Sequence, residues 1–195
     1  MTLNLKNLLN PKIKPSKMGE FQELQPIAGL QISAVSADLY GDGRDDLALF
    51  YFPKGANFAA VYTSSKITST NINWNLKIKR HFVKALMVNT QNANAFTGVK
   101  GAQGLKEIAH SLSKSLTLKS SQSPKGIDDI VKITDLLFAS TGVIGEEFPH
   151  TKIKNTIPEL VKKLRTEQNK YVWFKAASAI MTTDTKPKLA YEECK

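Results

Sequence analysis

One segment of this chain places two hydroxyl residues and a glycine directly after an apolar run. It is Ser140–Gly145, with the sequence STGVIG. Thr141 offers a hydroxyl group there, and Gly142 offers a backbone N–H that no side chain shields. Two fixed donors aimed at one point form an oxyanion hole, which stabilises the tetrahedral intermediate of acyl transfer. The alternative is a strand-to-helix turn that uses glycine for its backbone conformation.

Asparagine dominates a second polar segment, Asn89–Gly98, which also follows an apolar run. Its asparagines supply many amide donors and acceptors on a tight loop. These amides either face a ligand or satisfy the loop's own backbone, as Asn side chains often do in turns. The residues alone leave both interpretations open.

A third segment, Ala179–Lys188, places threonines around Asp184 and lysines on both sides of Pro187. Such groups can bind the carboxylate or the amine of an amino acid. A helix N-cap, or a turn that ends at the proline, explains the same residues without a ligand.

Short apolar runs bounded by turn residues predict the strands that must position these segments. The predicted strands are Leu47–Phe52, Phe58–Thr63, Ala85–Asn89 and Leu136–Ala139. A turn at Tyr40–Gly43 precedes the first of them. The glycine-containing segment and the asparagine-rich segment therefore both lie at predicted strand ends.

Two segments have the pattern of helices, and together with the strands they predict an α+β fold of mixed α/β layers. One helix has an apolar stripe at helical spacing, formed by Leu105, Ile108, Ala109, Leu112 and Leu116. Thr156 and Glu159 form a capping box that predicts a second helix start, with Pro158 in its first turn. Ser113–Lys125 is predicted to be a surface loop, whereas Ala176–Met181 is either a helix or a strand. We expect a single domain over residues 1–195, with residues 1–25 as a leading segment.

The composition argues against several classes of function. The net charge is +10, but only three of the 27 basic residues are Arg, and the lysines are spread along the chain. Nucleic-acid-binding proteins rely on Arg, whose planar fork matches phosphate and guanine edges, so no nucleic-acid partner is expected. No apolar run approaches the roughly 20 residues that span a bilayer, so no membrane partner is expected.

The cysteine and histidine content points to a protein without disulfides or metal. The one cysteine, Cys194, cannot form an internal disulfide and favours a reducing compartment, which we take to be the cytoplasm. His81, His110 and His150 are isolated from one another in the sequence, so no metal site is predicted.

In their order along the chain, the three polar segments resemble one family, the ornithine acetyltransferases, also called glutamate N-acetyltransferases. Ser140–Gly145 matches the family motif completely, and Ala176–Lys188 follows the family pattern almost throughout. Asn92–Ala95 with Thr97 and Gly98 matches an asparagine-rich loop of the family. Three motifs in the right order are far more specific than any one of them.

The resemblance implies a fold and a mechanism. The fold is the α-chain portion of an αββα-type sandwich, and the precursor cleaves itself at an Ala-Thr bond. The new N-terminal threonine is the nucleophile, with its own α-amine as base. It takes acetyl from N-acetylornithine and passes it to glutamate, in arginine biosynthesis. The motif match assigns the oxyanion hole to the Thr141 hydroxyl and the Gly142 N–H, and substrate contact to Thr182. No cofactor is needed, although some members use acetyl-CoA as an acetyl donor.

Two family motifs do not occur in this chain: the Lys-Gly-Ser/Ala-Gly-Met segment and the Ala-Thr-Met-Leu cleavage site. We therefore expect a C-terminal (β) chain to supply the nucleophilic threonine, in an α2β2 heterotetramer. The 195-residue chain alone is predicted to lack transferase activity and either to self-associate or to need its C-terminal partner. Gln91 stands where the family has glycine, which would strain a positive-φ conformation there.

Three alternatives remain open at this point. The chain is a non-catalytic truncated remnant, or a small-ligand-binding module of the same fold, if no downstream reading frame supplies the threonine segment. A basic nucleic-acid-binding module would show binding that depends steeply on salt. A self-cleaving aminopeptidase of related architecture fits less well, because the Asn-Ala-Asn and Thr-Thr-Asp segments favour the acetyltransferase.

Overall fold

The chain folds around a four-stranded sheet with helices against it. The computed structural model describes residues 24–121 and 130–192. The strands lie side by side in chain order: β1 (Gln31–Val35), β2 (Leu47–Asn57), β3 (Phe82–Asn89) and β4 (Leu136–Ser140). The helices are α1 (Thr70–Asn75), α2 (Gly98–Ser121), α3 (His150–Lys162) and α4 (Lys170–Ala179). This architecture confirms the predicted α+β class.

The last pair of strands determines where the polar segments meet. β1, β2 and β3 pair antiparallel, whereas β3 and β4 are parallel. A parallel pair needs a long crossover, and α2 lies within it. Asn89 and Ser140 are register partners at the carboxyl ends of these two strands. The asparagine-rich and glycine-containing segments therefore begin next to each other at one edge of the sheet.

The main core lies between one face of the sheet and helices α2 and α3. Leu47, Leu49 and Tyr51 of β2 face this core because alternate strand residues point to the same side. The predicted stripe on α2 is confirmed, since each of its five members is at most 1% exposed. Burying one such leucine contributes about 1.5–3 kcal/mol.

The other face of the sheet is covered only in part by the described residues. Helix α4 packs Val172 and Ala176 against Ile32 of β1. Farther across the sheet, Leu137 of β4 is half-buried and Ala139 is exposed. This uncovered apolar area over β3 and β4 is a surface on which a further layer can pack.

Helix α1 covers the free edge of β4 with side chains in place of another strand. The Trp74 Nε1–H donates to the Leu136 carbonyl at 3.0 Å. The Asn75 amide donates to the Phe138 carbonyl at 2.9 Å and accepts from the Phe138 N–H at 3.0 Å. Asn75 thus replaces both hydrogen bonds that a neighbouring strand would make, which protects the edge from pairing with other chains.

The predicted strand Phe58–Thr63 is wrong. The segment has no regular structure, and the Val61 side chain is 98% exposed. A strand needs a neighbour for its backbone groups, and β2 already ends its pairing with β3 at Asn57. Residues 59–63 are therefore exposed to solvent, whereas Phe58 is half-buried beside His81.

The helix start predicted at Thr156 is also wrong. Helix α3 begins at His150, and the Thr156 hydroxyl donates to the Lys152 carbonyl at 2.9 Å from inside the helix. Ile153 is completely buried one turn before the predicted start. Tertiary packing of that side chain extends the helix upstream, so the Thr156–Glu159 spacing was not a capping box.

Two further predictions concern helix ends. The loop predicted for Ser113–Lys125 is wrong up to Ser121, because helix α2 continues to that residue. Within the helix, the Ser113 hydroxyl donates a hydrogen bond to the Val131 carbonyl. Residues 122–125 lie outside the described residues. Ala176–Met181 is helical in its first part, as the end of α4. The predicted turn before β2 is confirmed, with Gly41 at φ +73°.

Within the ranges 24–121 and 130–192, no helix is both long enough and apolar enough to cross a bilayer. Cys194 and most of the leading segment predicted for residues 1–25 lie outside the described residues.

Candidate active site

The loops after β3 and β4 continue to pair with each other beyond the strand ends. The Thr141 N–H donates to the Asn89 carbonyl at 3.0 Å, and the Val143 N–H donates to the Gln91 carbonyl at 2.8 Å. The Ala93 N–H returns a bond to the Val143 carbonyl at 2.9 Å. The structure thus brings together two of the three segments singled out from the sequence.

Gly142 has a conformation and a position that no other residue fits. Its φ is +140°, outside the range that residues with a Cβ normally adopt. A Cβ would lie 2.6 Å from the Asn92 nitrogen and would overlap the Gln91 carbonyl group. The glycine therefore lets the two loop backbones approach closely, which fixes the position of its own N–H.

The two donors predicted at this site are available for a ligand. Along β4 and the loop after it, every second N–H group points to β3. The N–H groups of Thr141 and Val143 do so, and the Gly142 N–H between them therefore points to the free edge of the sheet. Neither this N–H nor the Thr141 hydroxyl makes a hydrogen bond to another described residue. Gly142 is exposed and Thr141 is half-buried. The bonds from α1 to the edge stop at Ser140, so this end of β4 remains open.

A network of buried side-chain hydrogen bonds lies directly beneath Thr141. The Asn71 amide donates to the Ser140 hydroxyl at 2.6 Å, and that hydroxyl donates to the Asn89 side chain at 2.5 Å. The Asn94 amide donates to the Asn71 side-chain oxygen at 3.1 Å. Asn71, Asn89 and Asn94 are each at most 5% exposed. These amides hold the loops together and do not face a ligand.

Asn92 has the same structural role at the far side of the loop. Its amide donates to the carbonyls of Glu146 and Glu147, both at 3.2 Å, and its oxygen accepts from the Asn94 N–H at 2.8 Å. Of the two interpretations of the asparagine-rich segment, the structure therefore supports the one in which amides satisfy the protein itself. Gln91 adopts φ +74°, which is the positive-φ conformation that we expected its side chain to strain.

Asp46, a buried residue, anchors the start of the asparagine-rich loop through its backbone carbonyl. The Thr90 N–H donates to the Asp46 carbonyl at 3.0 Å. The Asp46 carboxylate accepts from the N–H groups of Ala37 and Leu39, both at 2.7 Å. Burial raises the pKa of Asp46 above its ordinary value, although the two N–H donors oppose this. Asp46 supports the loop from below and does not face the open edge.

The third predicted segment remains separate from this cluster. Thr182 lies three residues beyond the end of α4 and is half-buried. Its neighbour Asp184 forms an ion pair with Lys188. Thr182 and both loops lie within the described residues, and Thr182 makes no hydrogen bond to either loop. Within the described ranges, no group of three or more His, Cys, Asp or Glu side chains is arranged so that it could hold a metal ion.

Sequence reasoning missed Asn71, the one residue of the network that lies outside the two loops. Asn71 is in α1, a helix without an apolar stripe in the sequence, and it reaches Ser140 across 69 positions of the chain. The signal that identifies it is its burial at 3% exposure, which only the folded structure reveals.

Comparison with known proteins gives consistent matches. A model of the ArgJ family matches residues 31–195. The chain is 37% identical over 180 residues to the arginine biosynthesis bifunctional protein ArgJ of Bartonella quintana, which covers 92% of this chain and 40% of that relative. The protein of the same name from Caulobacter vibrioides is 34% identical over 178 residues, covering 88% and 39%. The chain thus spans about two fifths of the length of the curated relatives it matches.

Two solved structures have a similar fold. The ornithine acetyltransferase of Mycobacterium tuberculosis, crystallised with ornithine, gives a TM-score of 0.71 at 24% identity, covering 80% of this chain and 77% of that chain. The arginine biosynthesis bifunctional protein argJ of Bacillus halodurans gives 0.68 at 24% identity, covering 81% and 74%. At this level of identity the likeness concerns the fold.

Proposed function

Because this chain belongs to the ArgJ family, we propose that it takes part in acetyl transfer from N-acetylornithine to glutamate in arginine biosynthesis. The relatives are bifunctional arginine biosynthesis proteins, and the relative from Mycobacterium tuberculosis is an ornithine acetyltransferase with bound ornithine. Since the matched part is about two fifths of the curated relatives, the complete reaction needs further polypeptide.

The observation that supports this proposal most is the pair of donors at the end of β4. The Thr141 hydroxyl and the Gly142 N–H have no hydrogen-bond partner among the described residues, while the flanking Thr141 and Val143 N–H groups are both engaged. In our proposal these two donors stabilise the oxyanion of the tetrahedral intermediate. Donors fixed in advance are effective because they need no reorganisation when the charge develops.

The nucleophile in this proposal is a threonine on polypeptide beyond these 195 residues, released as an N-terminus by self-cleavage. Its hydroxyl attacks the acetyl carbonyl of N-acetylornithine while its α-amine accepts the proton. As the tetrahedral intermediate collapses, the α-ammonium gives that proton to the amide nitrogen and ornithine leaves as an amine. The amine of glutamate then attacks the acetyl-threonine ester, its proton passes through the α-amine to the threonine oxygen, and N-acetylglutamate leaves with the threonine hydroxyl restored. Both steps pass through an oxyanion at the same position, so the same donors serve both. We propose no metal or organic cofactor, with acetyl-CoA as an alternative acetyl donor.

The surface over β3 and β4 supports a second polypeptide as partner. Leu137 and Ala139 form part of a sheet face that the described residues leave uncovered, and the Val61 side chain is exposed. A C-terminal (β) chain that packs there would bury this apolar surface and bring its threonine to the open end of β4. We propose an α2β2 assembly in the cytoplasm, with Thr182 contacting the substrate from the end of α4.

A chimera tests this function directly. The full chain is joined to the C-terminal part of the Bartonella quintana relative that lies beyond the matched region, and acetyl transfer from N-acetylornithine to glutamate is measured. We expect turnover by the chimera and none by the chain alone. A folded chimera without turnover, or turnover by the chain alone, would contradict the proposal.

A further inference from the structure

Asn71 connects helix α1 to the residue that immediately precedes Thr141. The helix runs along the edge of β4 so that Asn75 faces Phe138 and Asn71, one turn earlier, faces Ser140. The Asn71 side chain is 3% exposed, and its amide donates to the Ser140 hydroxyl at 2.6 Å. At this point α1 contacts the side chain of Ser140 and not an edge carbonyl of the strand.

The hydrogen bonds around Asn71 form a directed series from Thr97, the residue before α2, to Asn89 of β3. The Thr97 hydroxyl donates to the Asn94 side-chain oxygen at 2.7 Å, and the Asn94 amide donates to Asn71. Asn71 donates to Ser140, and Ser140 donates to the Asn89 side-chain oxygen at 2.5 Å. Asn94, Asn71 and Ser140 each both donate and accept, so each bond fixes the orientation of the next side chain.

The series ends on the residue that also holds Thr141. Asn89 accepts the Ser140 hydroxyl with its side chain and the Thr141 N–H with its backbone carbonyl, the latter at 3.0 Å. Ser140 is therefore fixed from two sides, by Asn71 of α1 and by Asn89 of β3. The direction in which the backbone leaves β4 toward Gly142 depends on both contacts.

We propose that Asn71 is a positioning residue for the oxyanion hole and acts through Ser140. This inference rests on the proposed function, because it assigns Asn71 a role in the same reaction. Without the Asn71 amide, the Ser140 hydroxyl loses its donor and the Asn94 amide loses its acceptor. The Ser140–Gly142 turn is then no longer held from α1, and the two oxyanion donors shift relative to the acyl oxygen.

The test is a double-mutant cycle in the chimera described above. Asn71→Ala is made in the parent and in a Thr141→Val background, and kcat and KM for N-acetylornithine are measured. We expect Asn71→Ala to lower kcat by about 10- to 100-fold in the parent, since small misplacements of a catalytic group have effects of this size. KM stays unchanged. In the Thr141→Val background the same substitution lowers kcat further by less than about twofold, because residues that act as a unit are not additive.

Two other variants separate this role from a loss of folding. Asn73→Ala is the matched control, because Asn73 lies exposed on the same helix and its side chain bonds only to the Thr68 hydroxyl among the described residues. The kcat of this variant should equal that of the parent. Asn71→Asp keeps the size of the side chain but provides no N–H for Ser140, and should lower kcat as Asn71→Ala does. An unchanged kcat in folded Asn71→Ala and Asn71→Asp chimeras would overturn the proposal. An equal loss in both Thr141 backgrounds would also overturn it.

The inference can fail independently of the proposed function. An active parent with no effect of Asn71 rejects the inference alone, whereas an inactive folded parent rejects the function. In the latter case, amide hydrogen exchange on the 195-residue chain still tests the coupling. Asn71→Ala should accelerate exchange of the Thr141 N–H, and Asn73→Ala should not. Equal exchange in the two variants would reject the link between Asn71 and the turn.

Discussion

Gly142 and Gln91 pack backbone against backbone, and this contact determines the geometry of the open end of β4. The N–H of Val143, which follows the glycine, donates to the Gln91 carbonyl at 2.8 Å. A Cβ on Gly142 would overlap that same carbonyl. The contact holds the Gly142 N–H on the side away from β3, where it makes no hydrogen bond to another described residue.

Gly142→Ala should therefore destabilise the fold by more than a positive φ alone explains. Overlap with the Gln91 carbonyl adds to the strain of φ +140°, and we expect a loss of about 2–3 kcal/mol in the free energy of unfolding, measured in urea. Gly41→Ala is the matched control, because Gly41 has φ +73° with no atom near its missing Cβ, and it should cost about 1 kcal/mol. Equal losses for the two variants would show that the contact with Gln91 has no energetic importance.

Asn75→Ala should expose the edge of β4. The substitution removes both hydrogen bonds to Phe138 and leaves a backbone N–H and a carbonyl without partners, at a cost of about 1–3 kcal/mol. An unprotected strand edge also pairs with other chains. We expect lower stability and more self-association than in Asn73→Ala, measured by thermal unfolding and light scattering. Identical behaviour of the two variants would contradict the edge-protecting role.

Asp46 should make stability depend on pH in a defined direction. Burial raises its pKa above the ordinary value of 3.8, so between these two values the native state binds more protons than the unfolded chain. The contribution of Asp46 to stability therefore grows as the pH falls through the raised pKa, and is constant well above it. The free energy of unfolding of the wild type relative to Asp46→Asn should rise on acidification from neutral pH. A difference that falls on acidification would show that the N–H bonds from Ala37 and Leu39 outweigh burial.

The two strand ends that carry the candidate site were predicted from the sequence because they follow from short-range patterns. The apolar runs before Asn89 and Ser140 end at polar residues, and both were correctly read as strand ends. The family resemblance drawn from the three ordered motifs is confirmed by the family match. The parallel pairing that sets the two ends side by side depends on the crossover through α2, which local patterns do not encode.

What the sequence could not predict depends on contacts between distant residues. Asn71 is a polar residue in a short helix, and its importance comes from Ser140, far along the chain. Thr156 satisfied a capping pattern, yet burial of Ile153 placed it inside α3. Phe58–Thr63 has the composition of a strand, but in the described structure it has no neighbouring strand to pair with. At Thr156 tertiary packing overrode a local pattern, whereas Phe58–Thr63 lacks the neighbouring strand that its composition requires.

The most direct test of the central claim compares two substitutions of Thr141 in the chimera. Thr141→Val keeps the shape of the side chain and removes only the hydroxyl, whereas Thr141→Ser keeps the hydroxyl. If that hydroxyl stabilises the oxyanion, Thr141→Val should lower kcat for acetyl transfer by about 10²–10³-fold, the usual effect of losing one such donor, while Thr141→Ser remains close to the parent. Equal kcat values for Thr141→Val and the parent would contradict the account.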